Sequence, residues 1–152
     1  MAIEVKKLKQ LRDQTGAGIL EIKGILEDVG GDYDKALAEL MKKVVAKAEK
    51  KADRTANDGL VFSYIHNGGK VGSMVLVNCE TDFVAKTEDF QKLCREVAMQ
   101  VCTEDYKDLE TLLESEYIRD PSKKIKDLVN ETTAKLGEKI EINKFVKFSV
   151  GE

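Results

Sequence analysis

Few residues in this chain have the types and spacing that covalent chemistry requires. The single histidine, His66, lies in His66-Asn67-Gly68-Gly69-Lys70. There Asn-Gly and Gly-Gly supply the positive φ angles of a tight hairpin turn. An imidazole at such a turn becomes a general base only if a nucleophile such as Cys79 reaches it and a third group orients it, and nothing in the sequence supplies that third group. The three cysteines, Cys79, Cys94 and Cys102, are odd in number and lack Cys-x-x-Cys spacing. A disulfide framework and a zinc site are therefore not expected, and free thiols in a reducing compartment are. Gly16 and Gly18 fall between two helical segments rather than after a strand, so they do not form a dinucleotide fingerprint, and Gly69-Lys70 lacks the rest of a phosphate-binding loop. The expectation is a protein without cofactor or metal that acts by binding, not by covalent catalysis.

Two segments carry more than a solvated surface needs. In Thr15-Gly16-Ala17-Gly18-Ile19-Leu20, a turn between helices runs into two adjacent apolar residues. Ile19 and Leu20 cannot both point into a small bundle, so one is available to a partner. In Thr81-Asp82-Phe83-Val84-Ala85-Lys86, Phe83 and Val84 sit between charges in a strand-to-helix connection, where polar residues are the rule. Phe83 either folds back as a cap on the core or stands at a loop tip as an aromatic wedge aimed at a partner's pocket.

These segments need elements to hold them. Val5, Leu8 and Leu11 recur every three residues up to Thr15-Gly16, and Ile19, Ile22, Leu26 and Val29 form a second helical face that stops at Gly30-Gly31. Asp32 is then an N-cap for a third helix whose face is Tyr33, Leu37, Leu40, Met41 and Val44. Residues 46–56 lack any large apolar side chain and read as a fraying helix end and linker, which divides the chain into a helical module, residues 1–56, and a core, residues 57–152. In the core the period becomes two, with Leu60 to Ile65 and then Val71, Val75, Val77 and Cys79 on either side of the hairpin turn. Phe90, Leu93, Cys94, Val97, Ala98 and Val101 give one helix, and a less distinct helical stretch runs from Leu109 toward Tyr117. Asp120-Pro121 reads as the start of another helix, with Ile125, Leu128, Val129, Thr132 and Leu136 inward and Gly137 closing it. Ile140, Ile142, Val146, Phe148 and Val150 would share one strand face, with Lys144 interrupting it as a bulge or a strand end. The fold class is α+β: a three-helix bundle followed by a three-stranded antiparallel sheet packed with helices.

Composition fits this picture. With 42% hydrophobic residues the chain can fill a core, and with 35% charged residues its surface is well solvated. The net charge of −3 argues against a nucleic-acid binder, which needs clustered cationic excess. No apolar run approaches the ~18 residues of a membrane span, and no N-terminal apolar leader is present. A cytoplasmic protein that contacts neither membrane nor nucleic acid is expected.

At both unusual segments the sequence resembles the elongation factor Ts family. Arg12-Asp13-Gln14-Thr15-Gly16-Ala17-Gly18 is similar to the family's Arg-x-x-Thr-Gly-Ala-Gly, and Asn78 to Ala85 to its Asn-Cys-x-Thr-Asp-Phe-Val-Ala. Leu136-Gly137-Glu138-Lys139-Ile140 resembles its Ile-Gly-Glu-Asn-Ile, and Phe145 to Glu152 its Phe-x-Arg-Phe-x-Val-Gly terminus. The resemblance implies a guanine-nucleotide exchange factor for elongation factor Tu, the GTPase that carries aminoacyl-tRNA to the ribosome. It implies that Asp82 and Phe83, flanked by Thr81 and Val84, enter the GTPase near its Mg²⁺ and phosphate site. Arg12, Ile19 and Leu20, and farther along Leu136 and Gly137, would make the other contacts. Longer members carry two related core subdomains, whereas this chain has room for one. The resemblance therefore implies a short form that pairs as a homodimer. The three N-terminal helices also resemble the ubiquitin-associated fold, whose implied role is docking without exchange.

Overall fold

The computed structural model describes residues 4–151. The first three residues of the helical module and Glu152 of the terminal motif lie outside the described residues. Three helices come first: α1 (Val5–Thr15), α2 (Ile19–Asp28) and α3 (Tyr33–Lys51). They enclose a small cluster built on Leu11, Ile22, Leu26, Ala36 and Leu40, all essentially inaccessible. Gly16 ends α1 in the left-handed region at φ 70°, and its N–H donates to the Arg12 carbonyl at 2.8 Å. The Asp32 carboxylate accepts from Lys35 N at 3.1 Å and starts α3, as the N-cap reading requires.

The second cluster lies under the sheet. Strand β1 (Asp58–His66) pairs with β2 (Val71–Cys79) through a turn in which Asn67, Gly68 and Gly69 all have positive φ, and β2 pairs with β5 (Glu141–Ser149) on its other edge. The order is β1-β2-β5, antiparallel throughout. Val75, Val77 and Cys79 of the central strand point inward against α5 (Glu88–Val101) and α7 (Ile125–Leu136), meeting Phe90, Val97, Ile125 and Val129. The chain is thus an α+β fold of the expected kind.

Two local readings are corrected. Asp120-Pro121 does not open a helix. The Asp120 carboxylate instead accepts from the backbone N–H and hydroxyl of Ser122, and residues Asp120–Lys124 form strand β4, paired with β3 (Glu116–Tyr117). Proline is tolerated there because β4 belongs to a two-stranded ribbon with an edge to spare. Helix α7 begins only at Ile125, where Lys124 N donates to Asp127 Oδ2 at 2.8 Å. The second correction concerns β5. Leu76 pairs with Lys144 but Val77 pairs with Ile142, so Asn143 is an extra residue in the ladder. A bulge reverses the inside–outside alternation. Ile142 is therefore buried, whereas Val146, Phe148 and Val150 point outward and Phe145 and Lys147 turn in.

Sequence pattern also hid the means by which the ribbon is held. Glu96 and Gln100 lie on the buried face of α5. Tyr117 Oη donates to Glu96 Oε2 at 2.6 Å, with Arg119 Nε 3.1 Å away, and burial with this bond raises the Tyr117 pKa. The Gln100 amide donates to Glu116 O at 2.8 Å and accepts from Ile118 N at 3.0 Å. Both buried polar side chains are satisfied, which is the condition for tolerating them. The rest of the core is completed by α6 (Leu109–Glu114), whose Leu112 is buried.

Candidate functional site

Asp82–Ala85 form a single helical turn, α4, not an irregular loop. Within it the side chains divide sharply. Val84 and Ala85 pack into the core, whereas Phe83 is 80% exposed. Asp82 is also exposed and pairs with Lys86 at 3.2 Å across the turn. Phe83 is therefore not a cap on the core; its ring stands exposed.

One turn of helix has little stability of its own, because nucleation fixes several residues for one or two hydrogen bonds. This turn is held from outside. Thr81 Oγ1 accepts from Val84 N at 3.4 Å as the N-cap. The same hydroxyl donates to Glu138 Oε2 at 2.7 Å, and Glu138 Oε1 accepts from Glu80 N at 3.1 Å and Thr81 N at 3.0 Å. In return Glu80 Oε1 accepts from Lys139 N at 2.8 Å and pairs with Arg54 at 3.4 Å. The bond from Lys139 and the nearby Arg54 hold the Glu80 carboxyl below its ordinary pKa. Residues 80–81 and 138–139 are therefore clasped from both sides. Glu138 stands in a motif singled out for its Leu-Gly pair, and the sequence carried no signal that its carboxylate reaches back to Thr81.

The other candidates follow from the same junction. Leu136 is half-buried at the end of α7, and Gly137 is exposed in the left-handed region at φ 74°, its N–H donating to Thr133 O at 2.9 Å. One residue earlier, Lys135 Nζ donates to the carbonyl of Asp13 in α1, and a Cβ on Gly16 would come within 2.3 Å of Lys135 Cγ. The Thr15-to-Gly18 turn thus rests directly on the end of α7. Beyond it Arg12, Ile19 and Leu20 are all exposed, Leu20 by 84%. Three segments far apart in sequence meet around residues 135–139: the helical turn of the module, the α7 terminus and the base of α4 at residues 80–81.

Cys79 and His66 do not form a thiol–imidazole pair. Cys79 is fully buried, and burial pushes its pKa up to about 11. His66 lies at the far end of the hairpin, since Cys79 pairs with Asp58 and His66 with Val71. Eight residues of strand separate the two positions by about 26 Å. His66 Nδ1 lies 3.0 Å from the hydroxyl of Tyr64 instead.

Comparison with known proteins gives one answer. The family described as Elongation factor TS matches residues 80–152. The Elongation factor Ts of Thermoanaerobacter sp. (strain X514) is 40% identical over 195 aligned positions, covering 99% of this chain and 96% of its own. That of Coprothermobacter proteolyticus is 41% identical over 198 positions and covers both chains fully. That of Thermotoga petrophila is 36% identical, covering 100% of this chain and 98% of its own. These alignments run longer than the 152 residues here, so the relatives carry segments without a counterpart in this chain. Identity at this level along the whole length, together with the ordered motifs, shows that the chain belongs to the elongation factor Ts family.

Proposed function

We propose that this protein is a guanine-nucleotide exchange factor that binds elongation factor Tu·GDP and promotes GDP release by disturbing the partner's Mg²⁺ and phosphate site. The observation that carries this reading is Phe83, a large aromatic side chain held outside the core on a turn fixed at its base. A GTPase that binds GDP at nanomolar affinity holds it by about −12 kcal/mol. A factor releases it by binding better to a state with broken phosphate contacts, and coupling is reciprocal, so GDP weakens the factor equally. Such work needs exposed apolar and charged groups in fixed positions and no general base. Asp82 and Phe83 form the inserting tip, with Thr81 and Val84 as its support. Arg12, Ile19 and Leu20 dock the helical module, and Leu136 and Gly137 supply the contact beside the tip. Residues 1–56 and 57–152 act as the two units of this grip. A ubiquitin-associated-like docking role is less favoured, since it leaves the tip without a purpose.

The protein acts in the cytoplasm as a homodimer, without contact to nucleic acid or membrane. What supports pairing is the outer face of the sheet, where Val61, Ile65, Met74, Val146 and Phe148 are exposed together. An apolar sheet face of this extent favours a second protein surface, and two copies can stack face to face at the ~10 Å spacing of packed sheets. Among the described residues no helix is long and apolar enough to cross a membrane. The direct test is release of labelled GDP from elongation factor Tu with and without this chain. Acceleration of release is expected, and an unchanged rate at micromolar factor refutes the assignment. Sedimentation as a monomer at the same concentration refutes the dimer.

A further inference from the structure

We propose that Glu138 is the positioning residue of the exchange tip: its carboxylate folds the α4 turn and so presents Phe83 to the partner. This rests on the exchange reading for its functional consequence but not for its structural one. The carboxylate occupies both its oxygens on the segment just before the turn, accepting from Glu80 N and Thr81 N on Oε1 and from Thr81 Oγ1 on Oε2. The last of these bonds sets the hydroxyl proton toward Glu138 and leaves a lone pair for Val84 N, which is the N-cap of α4. A turn of four residues cannot maintain itself. The Phe83 ring is 80% exposed, so the direction in which it stands is set by the cap together with the buried Val84 and Ala85 that follow it in the same turn. Glu80 closes the arrangement from the other side through Lys139 N and Arg54. Removing that second carboxylate leaves the Glu138 bonds in place, which makes Glu138 the member that acts on the cap itself.

Two measurements test this, one without the partner. In the free protein, amide hydrogen exchange at Val84, Ala85 and Lys86 rises at least tenfold in Glu138→Ala, while amides of α5 from Phe90 to Val101 keep their protection. Glu138→Gln retains one carbonyl acceptor for the two backbone N–H groups and recovers most of the protection. Unchanged exchange at those three amides, or a loss spread equally through α5, overturns the proposal. With the partner GTPase, kcat/KM for GDP release falls about 10- to 100-fold in Glu138→Ala, the loss of charge-assisted hydrogen bonds to a cap. In a Phe83→Ala background the same change costs less than threefold, because Glu138 acts through Phe83. Full additivity of the two losses overturns it. If wild-type protein fails to accelerate release, the exchange reading falls, and the hydrogen-exchange result still decides the role of Glu138 in the fold.

Discussion

Replacing Phe83 by alanine separates binding from folding in a way few substitutions can. The ring is 80% exposed, so the folded chain gives up little when it is removed. An exposed truncation of this kind costs about 0.5 kcal/mol or less, and for a chain of this length Tm moves by about 2 °C at most. The partner loses far more. A phenylalanine offers about 200 Å² of side-chain area, so the exposed four-fifths is about 160 Å² available for burial, or about 4 kcal/mol at ~25 cal/mol per Å². Truncation of a central aromatic anchor costs at least about 2 kcal/mol, which brackets the loss between about 30- and 700-fold in kcat/KM. The assay is stopped-flow release of fluorescent GDP from elongation factor Tu, with circular dichroism and thermal melting as controls. Release within about threefold of wild type, with an intact fold, refutes the wedge. So does a fall in Tm well beyond that 2 °C, since it means that the ring is packed against the core in solution.

Three further outcomes follow from other parts of the molecule. Gly16→Ala places a Cβ at φ 70° and 2.3 Å from Lys135 Cγ, whereas Gly18→Ala meets nothing within 4 Å. The first is expected to destabilise by about 3 kcal/mol and lower Tm by about 6–12 °C, and the second to be neutral, so equal melting of the two variants contradicts the docking of the module on α7. Cys79 and Cys94 are buried with pKa values pushed up by burial to about 11 and about 12, and Cys102 is half-buried. At pH 8 a thiol reagent should label Cys102 alone in the folded protein. Because the unfolded thiols ionise near the ordinary thiol value of 9.0 and the folded ones do not, stability should decline as pH rises from about 9 to 12, and rapid labelling of Cys79 at pH 8 refutes this. Phe148→Glu puts a charge on the outer sheet face at a side chain 75% exposed. It should convert the proposed dimer to monomer without lowering monomer stability, and a dimer that survives at micromolar concentration places the interface elsewhere.

How far the sequence could be read depended on the range of the interactions involved. Helices α1, α2, α3 and α5 are written in local periodicity and caps, and the hairpin turn in Asn67-Gly68-Gly69, so all were legible. The division at Asp120-Pro121 was not, because the same dipeptide starts a helix or turns a strand depending on what the Asp carboxylate meets. Here it met Ser122 two residues on. The outward side of β5 was misread for a comparable reason. Lys144 marked a bulge or a strand end, but Ile142 and Phe148 were still assigned one face; the extra residue at Asn143, seen when the strand is laid against β2, is what puts them on opposite sides. Exposure of both Ile19 and Leu20 was half-visible, since two adjacent apolar residues on a helix cannot share one face. The placement of Phe83 was open in the sequence because a turn offers no periodicity; in the fold Val84 and Ala85 take the buried side of the turn and leave the Phe83 ring exposed.

The same distinction explains the architecture of the site. Motifs in the sequence mark positions, but the work of joining them is done by carboxylates and a lysine that no local pattern singles out. Lys135 meets the module's turn, Glu138 meets the base of α4, and Glu80 returns the contact to Lys139 and Arg54. Residues 135–139 thus fix the two proposed docking surfaces relative to each other through one short segment. A partner that must be gripped at two places and deformed between them requires this. If either surface were free to swing, binding free energy would go into ordering the factor rather than into distorting the nucleotide site. A one-turn helix is a poor choice for a tip that must order itself and a sound choice for one that is already clamped. On the proposed exchange reading, the clamp, more than the aromatic ring it presents, is what would let so small a domain push against a GTPase without yielding.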